Sequence, residues 1–240
     1  MKNNKKINYR KVVSIFVFVS LILAIIGIVI MMIIAPSKPK LDDPNGHVKS
    51  DYVLMLAQCI LGVIVILLPG IIERKINIQI PSNMMILFTL FIYASTFLGE
   101  VRSFYYRVPH FDTLLHVFSG AMIAILGFSI ISILNNSERI PVTLSPAFVA
   151  CFTFCFAFAL GGIWEIYEFI ADGVMQTNMQ KFALEDGTNL VGRVAIIDTM
   201  KDLIVDAIGA FVISVLGYIS LKYQKGWVEK LQIRIVKKAG

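Results

Sequence analysis

Six stretches of the chain stay apolar long enough to matter, at residues 12–35, 52–72, 84–100, 113–134, 146–171 and 197–221. Each reaches or approaches the length of about 20 residues that a helix needs to cross a hydrocarbon core. Pro, Gly, Asn, Asp and charged side chains fill the intervals, which is the chemistry of loops. The pattern predicts an all-α polytopic membrane protein with six transmembrane helices and a single integral membrane domain over residues 1–240. The first stretch has the basic start and apolar core of a secretory signal. Its run from Val12 to Ala35 is longer than a typical signal core, and the following "APSKPK" lacks a small-x-small cleavage pattern, so it reads as a retained helix.

Composition excludes a soluble domain: 57% of residues are hydrophobic and 16% charged, with a mean hydropathy of +0.77. The net charge of +6 comes largely from two basic tails that flank membrane segments. Attraction to an anionic leaflet accounts for them without nucleic acid. Six spans place both termini on one side. Setting them in the cytoplasm puts 14 Lys and Arg residues inside against 8 outside, so the expected topology in the cell membrane is N-in, C-in. The tail "YQKGWVEKLQIRIV" is expected to lie on the inner surface as a short amphipathic helix. Cys59, Cys151 and Cys155 sit inside apolar runs and read as small packing residues, with no disulfide framework.

The acidic residues beside the spans are not scattered. Glu100 ends the third; Asp112 and His116 open the fourth; Glu165, Glu168 and Asp172 close the fifth; Asp198, Asp202 and Asp206 open the sixth. In the N-in topology all these ends lie on the outer side, where the loop "DGVMQTNMQKFALEDGTNLVGRVA" is long enough to cover a pocket. Spacings of three and four residues put each set on one helical stripe. Asp206 lies about 12 Å deeper than Asp198 at the helical rise per residue. A charged side chain at the bilayer centre costs about 2.5–3.5 kcal/mol even on insertion scales, so such groups persist where they face one another, a cation or water. Three acidic stripes are therefore expected to converge. Arg102, Arg107 and Lys201 cannot balance them all, which calls for a bound cation, protonation or both. Gly120, Gly161, Gly162 and Gly209 lie near the same faces, where small residues let helix backbones approach.

The order "FDTLLHVFSG", "EIYEFIAD", "DGTN" and "DTMKDLIVDAIGA", spread over residues 84–221, resembles the YjdF family of bacterial inner-membrane proteins. The resemblance singles out Asp112, His116, Gly120, Glu165, Glu168, Gly187, Thr188, Asp198, Thr199, Asp202 and Gly209. It implies a fold and a site but no substrate. The connection "NLVGRVAII" departs from the commonest family pattern by being longer and less polar, which bears on Gly187 and Thr188. A fainter likeness to VanZ-like membrane proteins points to the envelope.

Three readings of the pocket stand side by side. In the first it is a metal-dependent membrane enzyme acting on a lipid or lipid-linked envelope substrate. Zn²⁺, Mn²⁺ or Mg²⁺ would be held by His116, Glu165, Asp198 and Asp202, with Glu168 or Asp112 as general acid or base and Arg102 or Arg107 contacting an anionic head group. In the second the carboxylates carry the coupling ion of a proton- or cation-coupled transporter, although the opposite halves of these helices are uncharged and no inverted repeat is visible. In the third a divalent cation only fastens the last three helices, and the long loop meets a partner.

Overall fold

The computed structural model describes residues 8–37, 47–135, 144–184 and 187–235. Its long helices are α1 (Tyr9–Ile34), α2 (Lys49–Ile76), α3 (Ser82–Ile92), α5 (Phe111–Asn135), α6 (Pro146–Met175) and α7 (Ile197–Lys222), with the single turn α4 (Phe104–Arg107) between α3 and α5. α3 runs on as a π-helix over Tyr93–Val101, and a 3₁₀ turn, Gly192–Ile196, leads into α7. With those extensions, six helices are long and apolar enough to cross a membrane. Polar residues set their ends. Asn8 caps α1 through the N–H of Lys11, and Ser145 caps α6 through the N–H of Phe148, with Pro146 at the first helical position, where no N–H is needed.

The helices pack as two groups. In one, α1, α2 and α3 share a core that includes Val17, Leu21, Met55, Cys59, Ile66 and Ile92. In the other, Ala124, Ala157 and Ala210 meet where α5, α6 and α7 come closest, and Phe128, Ile131 and Val149 fill the space beyond. Small residues fix the second group. A β-carbon at Gly120 of α5 would strike the backbone carbonyl of Asp206, and one at Gly209 of α7 would strike that of Val117. The two backbones are thus in direct contact, as small residues permit within a bilayer. Large apolar side chains such as Phe16, Leu23, Ile166, Phe169, Ile208 and Phe211 point outwards, where lipid is their solvent.

Two expectations are corrected. Cys151 and Cys155 are exposed on the outer face of α6 and take no part in the buried core, because the inward face of that helix is taken by Val149, Thr153 and Ala157. The C-terminal tail is not an amphipathic helix. It folds back in turns, and β2 (Arg234–Ile235) pairs antiparallel with β1 (Ile78–Gln79). Hydroxyls at the helix ends take up its backbone: Ser220 Oγ accepts from Trp227 N–H at 3.0 Å, and Ser129 Oγ from Ile233 N–H at 3.1 Å. At the same end Arg10 and Glu73 form a two-pronged ion pair at 2.5 and 3.2 Å, and Glu73 also accepts from Ile80 N–H.

Candidate functional site

Between the two helix groups lies a cavity of about 360 Å³. Its walls divide by chemistry. Leu61, Val65, Phe88, Phe91, Ile92 and Met122 line the apolar part, while Asp112, His116, Glu168, Lys181, Asp202 and Asp206 gather at the polar part. The end of the third span reaches this region through its π-helical turn. The wider winding, seen in the Arg102 N–H bonding back five residues to Phe97, brings Glu100 to the cavity wall. Ser103, in a left-handed conformation at φ 56°, then reverses the chain so that Tyr105 also lines the cavity.

His116 is the centre of the polar part. Its Nδ1 lies 3.3 Å from Asp206 Oδ2, and its Nε2 faces Asp112 Oδ1 at 3.7 Å and Asp202 Oδ2 at 3.9 Å. Ser119 Oγ is 2.8 Å from both Asp206 Oδ1 and the His116 carbonyl, so both oxygens of Asp206 are engaged. Gly161 makes room for this carboxylate, since a β-carbon there would lie 2.8 Å from Asp206 Oδ2. Asp206 thus occupies Nδ1 and leaves Nε2 as the ring nitrogen turned toward two carboxylates. Ligand atoms of Asp112, His116 and Asp202 all fall within 4.8 Å of one another. Asp202 is 2% exposed, and its Oδ1 has no hydrogen-bond partner among the described residues.

The remaining expected residues occupy distinct places. Glu168 lines the cavity and accepts from the Trp164 indole N–H at 2.9 Å. Trp164 therefore belongs to the site. Glu165 is buried on the α6 face that packs against α5 and α7, and both of its carboxylate oxygens lack partners among the described residues. Asp198 stands apart from the three clustered ligands, paired with Lys181 at 3.2 Å. Arg102 and Arg107 are exposed, and neither lines the cavity, because the turn at Ser103 that points Tyr105 inwards leaves them outside.

Lys181, which the sequence reading passed over, is the cation that enters the site. Its ammonium also binds Asp112 Oδ2, so Asp112 has one oxygen toward His116 and the other on Lys181. The loop after α6 is built to deliver it. Asp172 accepts from Thr177 Oγ at 2.7 Å, from Met179 N–H at 2.7 Å and from Gln180 N–H at 3.0 Å, and Asn178 exchanges two hydrogen bonds with Ala183. The loop does cover the pocket, through Asn178, Met179 and Lys181. Burial alone would lower the Lys181 ammonium, but the Asp112 and Asp198 carboxylates outweigh it and hold it above its ordinary value. Burial first, then Glu100 and Asp112, push the Tyr105 phenol well above its usual range, so it stays an O–H donor. Lys181 itself has a left-handed backbone at φ 49°, which no spacing rule forecasts.

Comparison with known proteins adds one match. The model of a family described as "Predicted membrane protein (DUF2238)", of which YjdF is a member, matches residues 17–223. Neither a curated protein nor a solved structure matches. The matched span runs from within α1 to the end of α7 and includes every residue of the site, and the chain belongs to this DUF2238 family of membrane proteins.

Proposed function

We propose that the chain is a metal-dependent enzyme of the cell membrane, holding a divalent cation between Asp112, His116 and Asp202 and acting on a lipid or lipid-linked envelope substrate. The carrying observation is the His116 Nε2, held by Asp206 and presented to two carboxylates at the polar end of a cavity that is otherwise apolar. Donor atoms around a tetrahedral Zn²⁺ with bonds near 2.0–2.2 Å lie roughly 3.3–3.5 Å apart. The two separations from His116 Nε2, 3.7 and 3.9 Å, exceed this by a few tenths of an ångström, and all three ligand atoms lie within 4.8 Å of one another. Mn²⁺ and Mg²⁺, which favour carboxylate oxygen, suit the same set. Glu165, with unpartnered oxygens, is the carboxylate available to complete the shell, whereas Asp198 serves Lys181.

A cation held there would supply Lewis-acid polarisation of a substrate oxygen and a more acidic bound water, whose proton Glu168 on the cavity wall would take up. In the expected N-in, C-in topology this site would lie in the outer leaflet, where a lipid substrate arrives laterally. The opposite halves of α5, α6 and α7 are uncharged, which favours chemistry on one side over passage across the membrane.

Equilibrium dialysis of detergent-purified protein against buffered Zn²⁺, Mn²⁺ and Mg²⁺ tests the cation site. Wild type and C151A should hold about one equivalent of at least one metal, and H116A and D202N should lose it while remaining folded by size-exclusion chromatography. Retention of the metal by H116A, or none in wild type, overturns the proposal.

A further inference from the structure

The cavity carries a second arrangement that the cation site does not use. Lys181 and Tyr105 face it from the loop after α6 and from α4, with the Lys181 ammonium 5.9 Å from the centre of the Tyr105 ring. Gly99 has no side chain for a reason: a β-carbon there would run into the Tyr105 ring. Among the described residues the Tyr105 hydroxyl has no hydrogen-bond partner, and the Lys181 ammonium meets three carboxylate oxygens, Asp112 Oδ2 and both oxygens of Asp198 at 3.2 Å. The phenol donor is thus left for a ligand, and the ammonium beside it offers an anion its positive charge. Asp112 lies between them and His116, with one oxygen toward each. An anion that met both the Lys181 ammonium and a cation on Nε2 would have to present oxygens along two edges. A tetrahedral phosphate does this with three terminal oxygens, and a planar carboxylate has only two.

The apolar walls set the rest of the ligand. Phe88, Phe91 and Ile92 of α3 and Met122 and Ile123 of α5 line the cavity. A volume of 360 Å³ is at the small end of ligand pockets, about 300–1,000 Å³, which suits a head group with one chain rather than the two chains of a bilayer phospholipid. Building on the proposed cation site, we infer that the ligand of this cavity is a phosphate ester of a single-chain lipid, its phosphate held between the cation, Lys181 and Tyr105 and its chain among α2, α3 and α5.

The test measures binding of farnesyl phosphate, farnesol and inorganic phosphate to the full chain in detergent with Mn²⁺, for wild type, K181M, K181R and Y105F, with bound Mn²⁺ measured on each. Farnesyl phosphate should bind wild type at least tenfold more tightly than farnesol, and inorganic phosphate should not displace it at equal concentration. K181M should abolish that preference, K181R should restore part of it, Y105F should reduce it several-fold, and all three should keep Mn²⁺. Equal binding of farnesol and farnesyl phosphate by a protein that holds Mn²⁺ overturns this inference and leaves the cation site standing. Displacement by inorganic phosphate at equal concentration overturns the lipid assignment, and loss of Mn²⁺ from K181M makes Lys181 a structural residue. Wild type that binds neither Mn²⁺ nor farnesyl phosphate removes both proposals.

Discussion

Asp206 is the residue on which the assignment of His116 turns, and replacing it separates orientation from ligation. Its two oxygens receive Ser119 Oγ at 2.8 Å and His116 Nδ1 at 3.3 Å. Asn in its place keeps one acceptor oxygen. If that oxygen faces Nδ1, the amide N–H₂ turns to Ser119 Oγ, which accepts while its own hydrogen goes to the His116 carbonyl, 2.8 Å away. Asp206→Asn thus preserves the tautomer and loses the charge of the acceptor. Asp206→Ala loses the acceptor entirely and frees the ring to protonate Nε2 and turn. Removing such an outer partner of a metal-binding histidine costs about 10- to 100-fold in affinity, or about 1.4–2.7 kcal/mol. Asn belongs at the low end and Ala at the high end. Competition for Mn²⁺ or Zn²⁺ between the purified protein and a chelating dye gives the numbers, with Gly162→Ala, whose β-carbon would meet open space, as a matched control. Two results refute the reasoning: Asp206→Ala binding like wild type while His116→Ala does not, or Asp206→Asn as damaging as His116→Ala, which would make Asp206 a direct ligand.

The contact of α5 with α7 should be intolerant of a single methyl group. Gly120→Ala and Gly209→Ala are expected to destabilise by about 1–3 kcal/mol, lowering Tm by roughly 2–12 °C in a detergent thermal scan, while Gly162→Ala is neutral or stabilising by up to about 1 kcal/mol. Lys181 is held above its ordinary value, so the stability it contributes is complete below about pH 10.4 and disappears as pH rises through its higher folded-state value. The Tm difference between wild type and Lys181→Met should stay level from pH 7 to about 10 and close above that; closure already by pH 9 would contradict the ion pairs. Asp172→Ala leaves the Met179 and Gln180 N–H groups without their acceptor, a loss of about 1–3 kcal/mol. Hydrogen exchange at these two amides should speed up while that of the α5–α7 contact is unchanged.

Apolar length and acidic spacing made most of the fold and half of the site legible. The six spans needed only composition, and the stripes at Asp112–His116 and Asp198–Asp202–Asp206 needed only helical periodicity, because an unpaired charge in lipid is costly enough to force convergence. What periodicity cannot supply is the path of irregular backbone. Arg102 and Arg107 follow the third span closely and look like the natural counter-charges, but a left-handed Ser103 sends Tyr105 inwards in their place. Lys181 sits in a polar loop 69 residues from Asp112, and the hydrogen bonds of that loop, three of them to Asp172, bring it home. Asp172 itself shares a stripe with Glu165 and Glu168, so spacing groups it with the site although its work is to anchor the loop. Asp206 was visible as the deepest carboxylate, but its role depends on which imidazole nitrogen it meets, and that is a matter of three dimensions.

Charge around the cavity imposes an order on what binds there. Glu100, Asp112, Glu168, Asp202 and Asp206 line it, and Lys181 is the one Lys or Arg among the described lining residues. Carboxyl groups outnumber the one ammonium and disfavour a phosphate, however well Lys181 and Tyr105 are placed, and His116 adds no charge while its Nε2 lone pair serves as a ligand. A divalent cation changes the sign of the local field where the phosphate oxygens would sit. Cation and lipid phosphate should therefore bind with positive coupling, and by linkage each must raise the other's affinity by the same factor, which for coupled sites is about 5- to 150-fold, or about 1–3 kcal/mol. Titrating Mn²⁺ into the protein with saturating farnesyl phosphate, with farnesol and with neither, against blanks of lipid without protein, measures the factor from one side. Titrating farnesyl phosphate with and without Mn²⁺ measures it from the other. Equal factors above about fivefold in both directions, reduced toward one in Lys181→Met, are what a phosphate bridging the cation and Lys181 requires. Mn²⁺ affinity that falls or stays level on adding farnesyl phosphate would mean that the anion and the cation do not share a site.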